Sequence, residues 1–80
     1  MSAWKSVGVV VEGEPIDVGG INPWEHKWLK SGELPVKLPH PSYPTQLHDM
    51  SVLKVVFGSK EIVFAVGELS VGVYGFYVRA

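Results

Sequence analysis

The sequence predicts a β-dominated α+β domain: an antiparallel sheet of four or five strands carrying one short helix, with a small β-barrel or sandwich as the alternative architecture. Three observations predict it. Valine and aromatic residues alternate with other residues over short stretches at both ends of the chain, the period-2 pattern of strands. Gly58-Ser59 sits between two such stretches, with the chemistry of a two-residue hairpin turn. Prolines at 35, 39, 41 and 44 exclude a long helix from the middle of the chain. The 80 residues are read as a single domain, 1–80, with no internal repeat, low-complexity tract or linker.

Taken in order, Trp4 to Val11 reads as a strand with Val7, Val9 and Val11 on one face. Glu12-Gly13-Glu14-Pro15 supplies a turn, and Ile16-Asp17-Val18 is expected to return as a short strand, completing an N-terminal hairpin. Asn22 then offers an N-cap, Pro23 a first helical residue and Glu25 an acidic N3, so a helix is expected from Pro23 to Lys30, with Gly32 at its C-terminal stop. Trp24 and Trp28, four apart, would share one face of it. Leu34 to Leu38 is a candidate edge strand, and Pro39 to Pro44 reads as a stiff, polyproline-like connector.

The last third is expected to be a three-stranded meander of Met50–Phe57, Lys60–Gly67 and Val71–Arg79. A type II′ turn at Gly58-Ser59 opposes Phe57 with Lys60, Val55 with Ile62, Leu53 with Phe64 and Ser51 with Val66. A second turn near Leu69-Ser70 would add Val73, Gly75 and Tyr77 to that core face. The opposite face would carry Val52, Lys54, Val56, Val63, Tyr74, Phe76 and Val78, with Lys54 and Glu61 able to pair diagonally. So apolar a second face calls for a cover: the helix, the N-terminal hairpin or a second chain.

Seven basic and eight acidic residues, with no basic run, give nucleic acid no electrostatic footprint and a membrane surface no polybasic anchor. The apolar runs are too short to span a bilayer, and the opening residues lack the apolar core of a signal peptide; cytoplasm is the expected compartment. The absence of cysteine rules out disulfides and thiolate metal sites. With no Walker loop, no G-x-G-x-x-G and no G-x-S-x-G elbow, neither a cofactor nor a catalytic residue is expected.

Three functions remain. A self-associating, non-enzymatic interaction or scaffold protein would use Val52, Val56, Val63, Tyr74, Phe76 and Val78 as its homo-oligomer surface, with Tyr74 to Val78 as a pairing edge if that strand lies outermost. A binder of a small apolar or aromatic-cation ligand would line its pocket with Trp24, Trp28, Tyr43, Tyr74 and Phe76, joined by Tyr77. A metal-dependent enzyme would need His26, His40 and His48 to converge, with Glu25 or Asp49 as an oxygen ligand. The ordinary alternatives are aromatic rings filling a core and histidines dispersed over a surface.

Overall fold

A computed structural model of the protein describes residues 3–79. Strands dominate it: β1 (Trp4–Val11), β2 (Leu29–Lys30), β3 (Val36–His40), β4 (Tyr43–Phe57), β5 (Lys60–Ser70) and β6 (Val73–Arg79). All pairings are antiparallel, in the order β1-β6-β5-β4-β2, and β3 also pairs with β4. β1 and β2 end this order without pairing to each other, so among the described residues the sheet is open and the barrel alternative does not apply.

The β4–β5 hairpin has the register expected from Gly58-Ser59, from Phe57 opposite Lys60 to Ser51 opposite Val66. Gly58 takes a φ of 62°, the left-handed conformation that glycine supplies at this turn. Lys54 and Glu61 form the diagonal pair, 3.7 Å apart. Beyond Glu68, however, the β5–β6 ladder shifts by one residue, so that Phe64 opposes Val78 and Val66 opposes Phe76. A one-residue slip exchanges the faces of a strand. Tyr74, Phe76 and Val78 therefore join Leu53, Val55, Ile62, Phe64 and Val66 on the core face, and Val73, Gly75 and Tyr77 take the opposite one.

Three further expectations are corrected. Ile16–Val18 does not pair with β1. Instead Val18 and Ile21 exchange backbone bonds of 2.7 and 3.3 Å around Gly19-Gly20, whose φ values of 64° and 96° suit only a glycine pair, and β1 pairs with β6. The expected helix is a single 3₁₀ turn, Pro23–Glu25. Asn22 caps it by accepting the Trp24 N–H at 3.3 Å, but His26 is already extended, and Leu29-Lys30 pairs with Leu53 and Lys54. A helix of two turns has little stability of its own, and the sheet edge offers the same backbone a ladder. Finally, the proline connector is a hairpin: His40 opposes Tyr43 across Pro41-Ser42, so β4 starts at Tyr43 rather than Met50. Pro39 lies beside an irregularity in this ladder, where a missing N–H is tolerated.

The main core lies between the sheet and the segment that crosses it. Val18, Ile21, Trp24 and Trp28 rest on Val55, Phe64, Val66 and Phe76, with Phe64 and Phe76 wholly buried. On the opposite face a second layer begins where the β4–β5 ladder ends. Asp49 and Met50 pass directly over Gly67, and the β3–β4 arm folds back so that Leu38 and Met50 pack on Ala65 and Tyr77. The Tyr77 hydroxyl donates to the Pro39 carbonyl, and Glu33 pairs with Arg79, whose guanidinium lies 5.0 Å from the centre of the Trp4 ring.

Candidate functional site

The aromatic residues expected to line a pocket fill the core instead. The Trp24 ring lies 5.3 Å from Trp28, 5.8 Å from Tyr74 and 5.6 Å from Phe76, and Trp28 lies 5.4 Å from Phe64 and 6.0 Å from Phe76. Most of these contacts are edge-on, the favoured packing of ring quadrupoles. The Trp28 indole N–H donates to the Pro23 carbonyl at 2.7 Å, which locks the 3₁₀ turn onto the sheet. The buried Trp24 indole nitrogen makes no hydrogen bond. Tyr43 is not part of this group; it sits in the β3–β4 hairpin, 4.8 Å from the His40 ring. Tyr77 lies on the other face, under Leu38.

Two surface hollows flank this body. One of about 300 Å³ lies between Gly19 and Ile62, Val78 and Arg79. The other, about 390 Å³, lies between the Lys30–Pro35 segment and Ser51–Leu53 of β4. Neither is lined by Trp24, Trp28, Tyr43, Tyr74 or Phe76.

The histidines divide. His40 and His48 are near one another, 5.6 Å between ring centres, and His40 Nδ1 accepts the Ser42 N–H at 3.0 Å. His26 is elsewhere, edge-on to Phe57 at 5.3 Å. Among the described residues no three His, Asp or Glu side chains are grouped to hold a metal. Asp49 is paired with Lys37 at 2.9 Å.

The six residues expected to form one oligomer surface are also divided. On the face opposite the main core Val52 is buried, Val56 exposed and Val63 half-buried. Tyr74, Phe76 and Val78 look into the main core from the other side. The strand that carries them, β6, is interior to the sheet, between β1 and β5.

β1 ends the sheet on the side of β6. Its ladder with β6 is regular from Gly8 to Val11, breaks at Val7, and resumes from Ser6 to Trp4. Val7 is thus the extra residue of a β-bulge. Val7 and Val10 pack into the main core, whereas Val9 and Val11 are 40% and 51% exposed on the other face. Alternation places Val7, Val9 and Val11 together; the bulge separates them, and its only mark in the sequence is Gly8, which adopts a φ of 140°. At the end of this edge Glu12 accepts the Tyr74 hydroxyl at 3.0 Å. That bond, followed by burial and the nearby Glu68, raises the Tyr74 pKa above its usual value. Among the described residues the edge from Lys5 to Val10 has no ladder partner on its outer side and lies beside two exposed valines, a surface that favours strand addition. Comparison with known families, with curated proteins and with solved structures finds no match to this chain.

Proposed function

We propose that this protein is a non-enzymatic interaction module that works as a homo-oligomer. The observation that carries the reading is the β1 edge: among the described residues Lys5 to Val10 have a strand ladder on one side only, with Val9 and Val11 exposed beside it. A strand edge without a ladder partner is a template for another strand, and water-facing valines add apolar area to whatever pairs there. Burying them in an assembly would also supplement the core of an 80-residue chain that has no disulfide to brace it.

Size-exclusion chromatography with light scattering, run over a wide range of concentrations near neutral pH, tests the reading. The expected result is a dimer or larger species, converted to monomer by Val9→Lys, which places a charge on the edge without touching the core. A parent protein that elutes as a monomer at every concentration refutes it.

A further inference from the structure

We propose that the hollow between the β2–β3 connection and β4 binds a carboxylate group, carried by a small apolar acid or by the C-terminal residue of a peptide. The site is independent of the β1 edge and of self-association.

Its origin is a gap in a ladder. β2 and β3 pair with consecutive stretches of β4, Lys30 standing opposite Leu53 and Val36 opposite Met50. Between them residues 31–35 leave the ladder, while β4 runs on through Ser51 and Val52. The direction of the Val52 backbone groups follows from the neighbouring hairpin. The two-residue turn at Gly58-Ser59 closes on a bonded pair, Phe57 and Lys60. By alternation Val55, Leu53 and Ser51 turn their N–H and C=O groups to β5, and Val52 turns its own to the other side. The Ser31 hydroxyl agrees with this, donating to the Val52 carbonyl at 2.8 Å. The Val52 N–H has no strand residue opposite it and, among the described residues, no acceptor in the loop. Val52 is buried, and a buried amide without an acceptor is rare in a folded protein. The hollow, about 390 Å³, is where an acceptor has room.

The side chains around it select the charge of that acceptor. Leu53 and Val66 belong to the main core side, so Lys30, opposite Leu53, and Ser51, opposite Val66, share that side of the hollow. Lys30 is exposed and enters no ion pair among the described residues. Glu33 also lines the hollow, but its carboxylate pairs with Arg79, which lies on the face of Tyr77. One uncompensated ammonium, one N–H and one hydroxyl suit a single negative charge spread over two oxygens. One oxygen accepts the Val52 N–H, the other accepts from the Lys30 ammonium, and Ser51 donates to either. A second negative charge, as on phosphate, would find no further cation and would meet Glu33. Pro35 and Leu53 offer apolar surface to the group that carries the carboxylate, and Gly32 contributes no side chain to obstruct it.

Amide NMR of the whole chain, titrated with isovalerate, with N-acetyl-alanyl-leucine and with inorganic phosphate, tests the site. Either acid should move the Val52 amide proton downfield in a saturable way, with smaller shifts at Gly32 and Leu53. Isovaleramide and the C-terminal amide of the dipeptide should bind roughly tenfold more weakly, and Lys30→Gln should weaken the acids by roughly the same factor. Lys60→Gln, at the far hairpin, should leave them unchanged. A dipeptide that binds more tightly than isovalerate identifies a peptide C-terminus; one that does not identifies a free acid. The proposal is overturned by the absence of a saturable shift at Val52 with either acid, by amides or phosphate that bind as tightly as the acids, or by parental affinity in Lys30→Gln. Any of these results leaves the self-association reading standing, because that reading makes no use of the hollow.

Discussion

Replacing Gly67 by alanine tests the point at which the second layer forms. Gly67 lies in β5 and is not among the glycines with positive φ, so alanine fits its backbone. At an open strand position the change would stabilise by about 0.5–1 kcal/mol, because glycine gives up more chain entropy on folding. Here the added Cβ would lie 2.8 Å from Met50 Cγ and 3.1 Å from the Asp49 carbonyl oxygen. Met50 is wholly buried, so its side chain has no space to yield, and the carbonyl belongs to the β4 backbone. Overpacking of this kind costs about 1–3 kcal/mol, and with both the Met50 side chain and the Asp49 backbone in the way the upper half of that range applies, about 2–3 kcal/mol, leaving a net loss of about 1–2.5 kcal/mol. In a domain of this size that lowers the melting temperature by roughly 4–20 °C. Thermal and urea unfolding followed by tryptophan fluorescence would measure it. Gly75→Ala is the control: the nearest atoms to its Cβ would belong to the half-buried Leu69 side chain, at 3.2 Å, with no backbone closer, and the variant should stay within about 0.5 kcal/mol of the parent. If Gly67→Ala melts at or above the parental temperature, β4 does not cross β5 at this residue.

Trp28→Phe removes the indole bond to the Pro23 carbonyl and part of the ring cluster. It should cost about 1–3 kcal/mol in urea unfolding, and an unchanged midpoint would count against the bond. Burial raises the Tyr77 pKa, with a bond from Ser6 acting weakly the other way. A tyrosine that holds its proton more tightly when folded stabilises the fold fully below about pH 10 and loses that contribution as pH rises through its folded pKa. Stability should thus fall on the alkaline side, and less steeply in Tyr77→Phe; identical slopes would refute the assignment. Lys54→Ala should leave stability within about 1 kcal/mol and insensitive to salt, because the pair with Glu61 is long and one partner is well exposed. A larger loss would mean that the pair does more than decorate the sheet.

The parts of the fold legible in the sequence were those specified by neighbours in the chain. Gly58-Ser59 fixed a two-residue turn, and with it every pair of the β4–β5 ladder and the identity of the core residues Val55 and Phe64. The bulge near Leu69 was invisible because Glu68, Leu69 and Ser70 carry no turn signal distinct from the hairpin itself, and that one residue exchanged the faces of Tyr74, Phe76 and Val78. Asn22-Pro23-x-Glu25 did cap a turn, but local propensity could not show that Leu29 and Lys30 would find Leu53 and Lys54. Of the candidate sites, the proximity of Trp24, Trp28, Tyr74 and Phe76 was legible as a cluster of large apolar rings, though not that they would close on one another. The β1 edge was not, because which strand lies outermost depends on contacts between the two ends of the chain.

That last contact also orders the cost of folding. β4, β5 and β6 are joined by turns of two residues, at 58–59 and 71–72, so their ladders close small loops. β1 reaches β6 only by closing a loop over residues 12–72, with Trp4 meeting Arg79. The entropy of closure rises with loop length, and the reward for this pairing arrives only once the meander provides β6 as a surface. The strand with the most distant partner in sequence is therefore the same strand that faces outward in the finished sheet. Until it docks, β6 is the outer edge, and a β1 from a neighbouring chain fits that edge as well as the chain's own.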